Sequence, residues 1–192
     1  HAPELELEYV KQGVFTNRRR IMHNDFLVLG PPTDPAGIKD GQQAAEAFGR
    51  IAKSKAPFVS RGDNSGTHFL EQKLWKAIGV ASEGDWYIEA GQGMGATLMI
   101  ASEKGAYTLS DRGTYLAFRS KLELVPVVQG DPVLLNLYHV MEVDPQRFPK
   151  VSHAGARAFS DFLISPEAQS VIKSFGVDRF GSPLFLPDDA GP

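Results

Sequence analysis

The sequence predicts an α/β fold. Two segments repeat the same order of strand, glycine-containing polar loop and helix, at residues 58–79 and 86–105. Further strands alternate with helices on either side of them, the rhythm of a sheet covered by helices. Both repeated helices close on a glycine, Gly79 and Gly105, the residue most at ease in the left-handed backbone that ends a helix.

In chain order, residues 24–30 (NDFLVLG) read as a buried strand, ended by Pro31-Pro32 and the turn-rich residues 33–37. Over residues 42–54, beginning at Gln42, the apolar Ala44, Phe48, Ile51 and Ala52 recur at helical spacing. Pro57 stops that helix before the strand 58–60, and the loop 61–66 leads into a helix whose Leu70, Leu74 and Ile78 share a face. A strand at 86–88, the loop 91–95 (GQGMG) and a helix at 96–104 follow, then a strand at 107–109. Asp111-Arg112-Gly113 opens a helix running to Lys121, and residues 122–128 and 138–143 read as strands. The last third is helical. Phe159, Phe162 and Leu163 form one stripe, and Ser165-Pro166-Glu167 supplies an N-cap, a first-turn proline and a first-turn acid. Val171, Ile172 and Phe175 continue that second helix until Gly176, and the tail after Ser182 reads as a surface arm.

The chain has 192 residues, 42% hydrophobic and 22% charged, enough for one core or two small lobes. Its formal charge of -3, with basic residues scattered apart from Arg18 to Arg20, argues against nucleic acid as a partner. An anionic ligand would have to be drawn by local donors rather than by the overall field. The absence of cysteine excludes disulfides, thiolate metal sites and thiol catalysis. No apolar run approaches the roughly 20 residues needed to cross a bilayer, so no membrane insertion is expected. His23, His68, His139 and His153 lack metal-ligand spacing, His1 carries no weight as a ligand, and no metal site is expected. No catalytic motif is present; Ser65, with His68 one helical turn on, is the nearest candidate for a nucleophile.

The chemistry concentrates at Ser60-Arg61-Gly62-Asp63-Asn64-Ser65-Gly66-Thr67. A polar loop feeding a helix is an anion site in waiting, because the first N–H groups of a helix have no internal partners and the peptide dipoles add about half a positive charge there. Gly66 lets the backbone approach a bound ion, Ser65 and Thr67 each offer a hydroxyl, and Arg61 adds a permanent charge with a fork matched to two oxygens. Asp63 either orients Arg61 or accepts a proton from a ligand such as hydrogen phosphate. The plainer reading makes Asp63 or Ser65 a simple N-cap and Arg61 a solvated charge. The loop 91–95 lacks the endings of a nucleotide-binding motif and reads first as a tight turn before a packed helix.

FVSRGDNSGTH at 58–68, WYIEAGQGMGATL at 86–98 and AYTLSDRGTYL at 106–116 resemble the periplasmic tungstate-binding proteins of ABC importers, in the same order. HNDFLVLGPPTDPAG upstream and SDFLISPEAQSVIKSFG downstream are also similar to that family. The resemblance implies a type II periplasmic binding protein-like fold, two lobes with mixed sheets and a ligand cleft. Residues 31–133 would form the second lobe, carrying the anion-binding loop, and residues 1–30 and 134–192 the first lobe with its crossover strands. Arg61, Ser65, Gly66 and Thr67 would contact the oxyanion, with Ser60 beside them and Asp63 in support. The family's first-lobe Thr-Thr-Thr-Ser segment has no counterpart here, so the first lobe is expected to be incomplete.

The implied function is capture of tungstate or molybdate, with no other cofactor, by an extracytoplasmic monomer that delivers it to an ABC permease. The rivals are a phosphate- or sulfate-binding module, the ligand-sensing domain of a regulator, and an enzyme of phosphorylated substrates, which would need a base or metal near Arg61.

Overall fold

A computed structural model describes residues 3–41 and 43–188. The elements run α1 (Pro3–Lys11), β1 (Phe15–Gly30), α2 (Ala44–Ser54), β2 (Phe58–Ser60), α3 (Gly66–Ala77), β3 (Tyr87–Glu89), α4 (Met94–Lys104), β4 (Thr108–Asp111), α5 (Arg112–Phe118), β5 (Val125–Val128), β6 (Leu135–Val143), α6 (His153–Leu163), α7 (Pro166–Ser174), α8 (Val177–Phe180) and β7 (Leu186–Pro187). They gather into two compact units, Asp25–Leu135 and His1–Asn24 with Asn136–Pro192. The helix expected from Gln42 begins at Ala44; Gln42 itself lies outside the described residues.

The unit of residues 25–135 is a mixed sheet with helices on both faces. The second half of β1 pairs antiparallel with β4 on one edge and β5 on the other. Strand β2 pairs parallel with β3, and reaches the residues leading into β4 through Val59 N–H to Tyr107 O at 2.8 Å and Tyr107 N–H to Pro57 O at 2.8 Å. Successive strand residues face opposite sides, which explains why the apolar run at 26–29 is unbroken. Phe26 and Val28 join Phe48, Ile51, Phe58, Trp75 and Tyr107 in the core beneath α2 and α3. Leu27 and Leu29 join Val59, Met94, Leu98 and Ala101 beneath α4. Burying both faces commits β1 to the middle of the sheet.

In the other unit, the first half of β1 pairs with β6 and with β7, where Met22 faces Pro187 and His23 faces Leu186. The sequence marked only residues 24–30 as strand, because Arg18, Arg19 and Arg20 break the apolar pattern. Each finds an acid instead: Arg18 meets Glu6 at 2.9 Å, Arg19 meets Asp161 at 2.7 Å and Arg20 meets Asp188 at 3.1 Å. The tail expected as a surface arm docks as β7, and its residues 189–192 lie outside the described residues. Ser165 caps α7 as its sequence indicates, accepting from Ala168 N–H. The stripe on α6 is helical but not covered: Phe159 is 59% and Phe162 49% exposed, while Ser160 is buried. No helix among the described residues is long and apolar enough to cross a membrane.

Candidate functional site

Strand β2 ends at Ser60, and the chain must turn through 61–64 to enter α3. Two residues take left-handed backbone in that turn, Gly62 at φ 59° and Asn64 at φ 57°. Ser65 then caps α3, its Oγ accepting from His68 N–H at 3.3 Å, and Phe69 N–H donates to Ser65 O at 2.8 Å.

Accounting for each amide shows what the turn leaves free. Gly62 N–H donates to Ser60 Oγ at 3.2 Å, Asn64 N–H to His68 Nδ1 at 3.0 Å, and Ser65 N–H to Asp63 Oδ1 at 3.1 Å. His68 and Phe69 are satisfied by Ser65. The Gly66 and Thr67 N–H groups, the first two of α3, take no acceptor among the described residues, and neither do those of Arg61 and Asp63 in the turn itself. The two helical amides stand at the positive end of a helix of 12 residues. Beside them Arg61, its side chain only 19% exposed, keeps a buried Nε with no partner. A buried guanidinium N–H without an acceptor is costly, and an anion is a partner that could satisfy it.

Both oxygens of Asp63 are engaged, Oδ2 by the Arg61 guanidinium and Oδ1 by Ser65 N–H. Burial works against the charge of this carboxylate, but the hydrogen bonds from Ser65 and Arg61 outweigh it and hold the group below its ordinary 3.8. Asp63 is therefore an ionised brace for Arg61 and the turn. Ser65 serves as N-cap through its lone pair, and its side chain also helps to hold the Asp63 carboxylate charged. Thr67 is 4% exposed at the second helical position. Ser60 is fully buried, and its hydroxyl proton goes to Glu71 Oε2 at 2.7 Å.

That bond exposes residues the sequence reading passed over. Glu71, 1% exposed on α3, also accepts from Trp75 Nε1–H at 3.1 Å and from Tyr87 O–H at 2.7 Å. Burial raises its carboxyl above the ordinary 4.5, against the pull of these three donors. Burial and the Glu71 charge push the Tyr87 hydroxyl up as well. The available signal was a glutamate four residues after Thr67, on the buried stripe that Thr67, Leu74 and Trp75 complete.

The His68 ring faces Asn64 N and the Gln72 amide, 3.2 Å away, and makes no hydrogen bond to the Ser65 hydroxyl. The pair lacks the contact by which a base activates a nucleophile. No group of three or more His, Asp or Glu that could hold a metal ion occurs among the described residues. At the second loop, Gly93 caps α4, and a Cβ on Gly95 would lie 2.6 Å from the Phe118 ring, so this glycine serves the close packing of α4 on α5.

The PBP superfamily domain matches residues 1–167 of the chain. Over 99% of its length the chain is 41% identical to the tungstate-binding protein TupA of Peptoclostridium acidaminophilum, of which it spans 67%. It is 46% identical, over 98% of its length, to a Haloferax volcanii protein of which it spans 56%, so it covers only about half to two thirds of these relatives. The solved structure of the tungstate-binding protein TupA from Desulfovibrio alaskensis G20 matches 98% of the chain, and 76% of that protein, with a TM-score of 0.84 at 43% identity. The chain belongs to the PBP superfamily and, within it, to the family of these TupA proteins.

Proposed function

We propose that this chain forms the oxyanion-capturing part of an ABC importer's receptor, taking up tungstate or molybdate outside the cytoplasm and releasing it, as a monomer, to a membrane permease. One observation carries the reading: two unpaired amides begin a long helix a few residues after Arg61, whose buried Nε has no acceptor. Four residues supply the anion contacts: Gly66 through its amide, Thr67 through its amide and hydroxyl, Ser65 through its hydroxyl, and Arg61. Ser60 and Asp63 act from behind, the first through Glu71 and the second through Arg61. The lobe that carries this loop is residues 31–133, inside the compact unit 25–135, and residues 1–30 with 134–192 supply the other lobe and the crossover strands.

The engagement of Asp63 favours a fully deprotonated anion. A hydrogen phosphate needs an acceptor for its proton, and both Asp63 oxygens already accept. The similarity to proteins named for tungstate points the same way.

The test is a thermal-shift comparison of tungstate, molybdate, sulfate and phosphate, in the wild type and in Arg61→Ala. An anion at 100 times its dissociation constant stabilises by about 2.7 kcal/mol, roughly 5 to 10 °C for a chain of this size. The expected result is a shift led by tungstate or molybdate that disappears in the variant. A shift led by phosphate, or an equal shift in Arg61→Ala, would refute the reading.

A further inference from the structure

We propose that Glu71 is a positioning residue for the anion loop, acting through Ser60 to fix the Gly62 amide and through Tyr87 to fix β3 against α3. The inference rests on the oxyanion reading above and deepens it by assigning what shapes the cradle.

The bond directions are determined by donor chemistry. Trp75 Nε1–H can only donate, so Glu71 Oε1 accepts there. Ser60 Oγ already accepts from Gly62 N–H, so its own proton goes to Glu71 Oε2. Tyr87 O–H, which accepts from Gln72 Nε2, likewise gives its proton to Glu71. Glu71 is thus acceptor to three donors from two different elements and from the end of β2, with almost no solvent contact. A relay runs from Gly62 N–H through Ser60 to Glu71, and Ser60 and Gly62 flank Arg61 in the chain. On the far side of the turn, His68 Nδ1 takes the Asn64 amide, so the loop is pinned at both of its left-handed residues.

This arrangement removes the Gly62 and Asn64 amides from the pool of anion donors and holds the turn in one shape. A ring of donors held at one spacing discriminates between anions by size, because it cannot contract around a smaller one. Glu71 therefore contributes to anion selectivity without touching the anion.

The experiment is a double-mutant cycle with Glu71→Gln and Ser60→Ala. Tungstate and sulfate dissociation constants are measured by calorimetry, alongside hydrogen exchange of the Gly62 amide in the ligand-free protein. Each single variant is expected to weaken tungstate binding about tenfold or more, to narrow the tungstate-to-sulfate preference and to lose Gly62 protection. The double variant is expected to fall within about twofold of the weaker single, since both act along one relay. Multiplicative losses in the double variant, or unchanged tungstate affinity with unchanged Gly62 exchange in either single, would overturn the proposal. Where Glu71→Gln does not fold, Ser60→Ala carries the same test, because it cuts the relay and leaves Glu71 in place. Failure of the wild type to bind any oxyanion sinks the oxyanion reading itself, and the Gly62 exchange then decides alone whether Glu71 holds the loop.

Discussion

Ser65 is where the plain reading of the loop and the functional one part company, and Ser65→Asp separates them. As an N-cap, Ser65 needs only an acceptor for His68 N–H, and aspartate serves that purpose as well as serine. As an anion contact, Ser65 donates its hydroxyl proton, and aspartate replaces that donor with a negative charge. Two unit charges 4 Å apart near a protein surface repel by about 4 kcal/mol, roughly three orders of magnitude in affinity. Ser65→Asp is therefore expected to keep the melting temperature of the ligand-free protein within about 2 °C of wild type while abolishing tungstate binding. Ser65→Ala is expected to do the reverse in stability, losing about 1 kcal/mol of cap, or roughly 2 to 4 °C. Its affinity should also fall, by about tenfold, for want of one hydrogen bond to a charged ligand. Ligand-free melting and tungstate calorimetry on both variants provide the assay. Wild-type affinity in Ser65→Asp would refute the reasoning and reduce Ser65 to a cap.

Two further predictions concern the frame of the site. Gly30→Ala would place a Cβ 2.4 Å from the Tyr107 ring, which is fully buried and held by Asp34 at 2.6 Å and by Ala36 N–H at 2.9 Å. The ring has no room to retreat, so a loss of about 1–3 kcal/mol is expected in denaturant unfolding, and a smaller loss would mean the sheet gives more readily than its packing indicates. Acid should act in two opposed stages. Glu71 titrates above its ordinary 4.5 in the folded state because of burial, so its contribution to stability grows as pH falls through that raised value and is lost again as pH rises. Asp34 and Asp63 are held below 3.8, their hydrogen bonds outweighing burial, so their contribution is full above 3.8 and disappears as pH falls further. Unfolding across pH 7 to 3 should show the wild type gaining on Glu71→Gln down to about pH 4.5. A pH-independent difference between the two would count against a buried, titrating Glu71.

The elements most legible in the sequence were those whose signals are local. The run at 26–29, the strand 58–60 and the caps at Ser165 and Gly105 each depend on residues within a few positions of one another. What escaped was settled at a distance. Three consecutive arginines continue β1 only because Glu6, Asp161 and Asp188 neutralise them, and two of those acids lie more than 100 residues away in sequence. Helical periodicity found α6 at Phe159 and Phe162, yet it could not say which face is covered, and the helix turns Ser160 inward instead.

The same division runs through the proposed site and would let a chain of net charge -3 present a cradle for an anion. A polar loop entering an apolar helix is visible as a string of residues, but the donors that matter are those left over once the loop's own needs are met. Asp63, Ser60 and His68 consume the Ser65, Gly62 and Asn64 amides, and Glu71 takes the Ser60 hydroxyl. The Gly66 and Thr67 amides and the Arg61 Nε are among those that remain. Asp63 and Glu71 therefore do not simply oppose an incoming anion, since each is engaged by donors of the frame. Freezing those donors before binding lowers the ordering cost at the moment of capture, which is how local geometry prevails over an unfavourable overall charge.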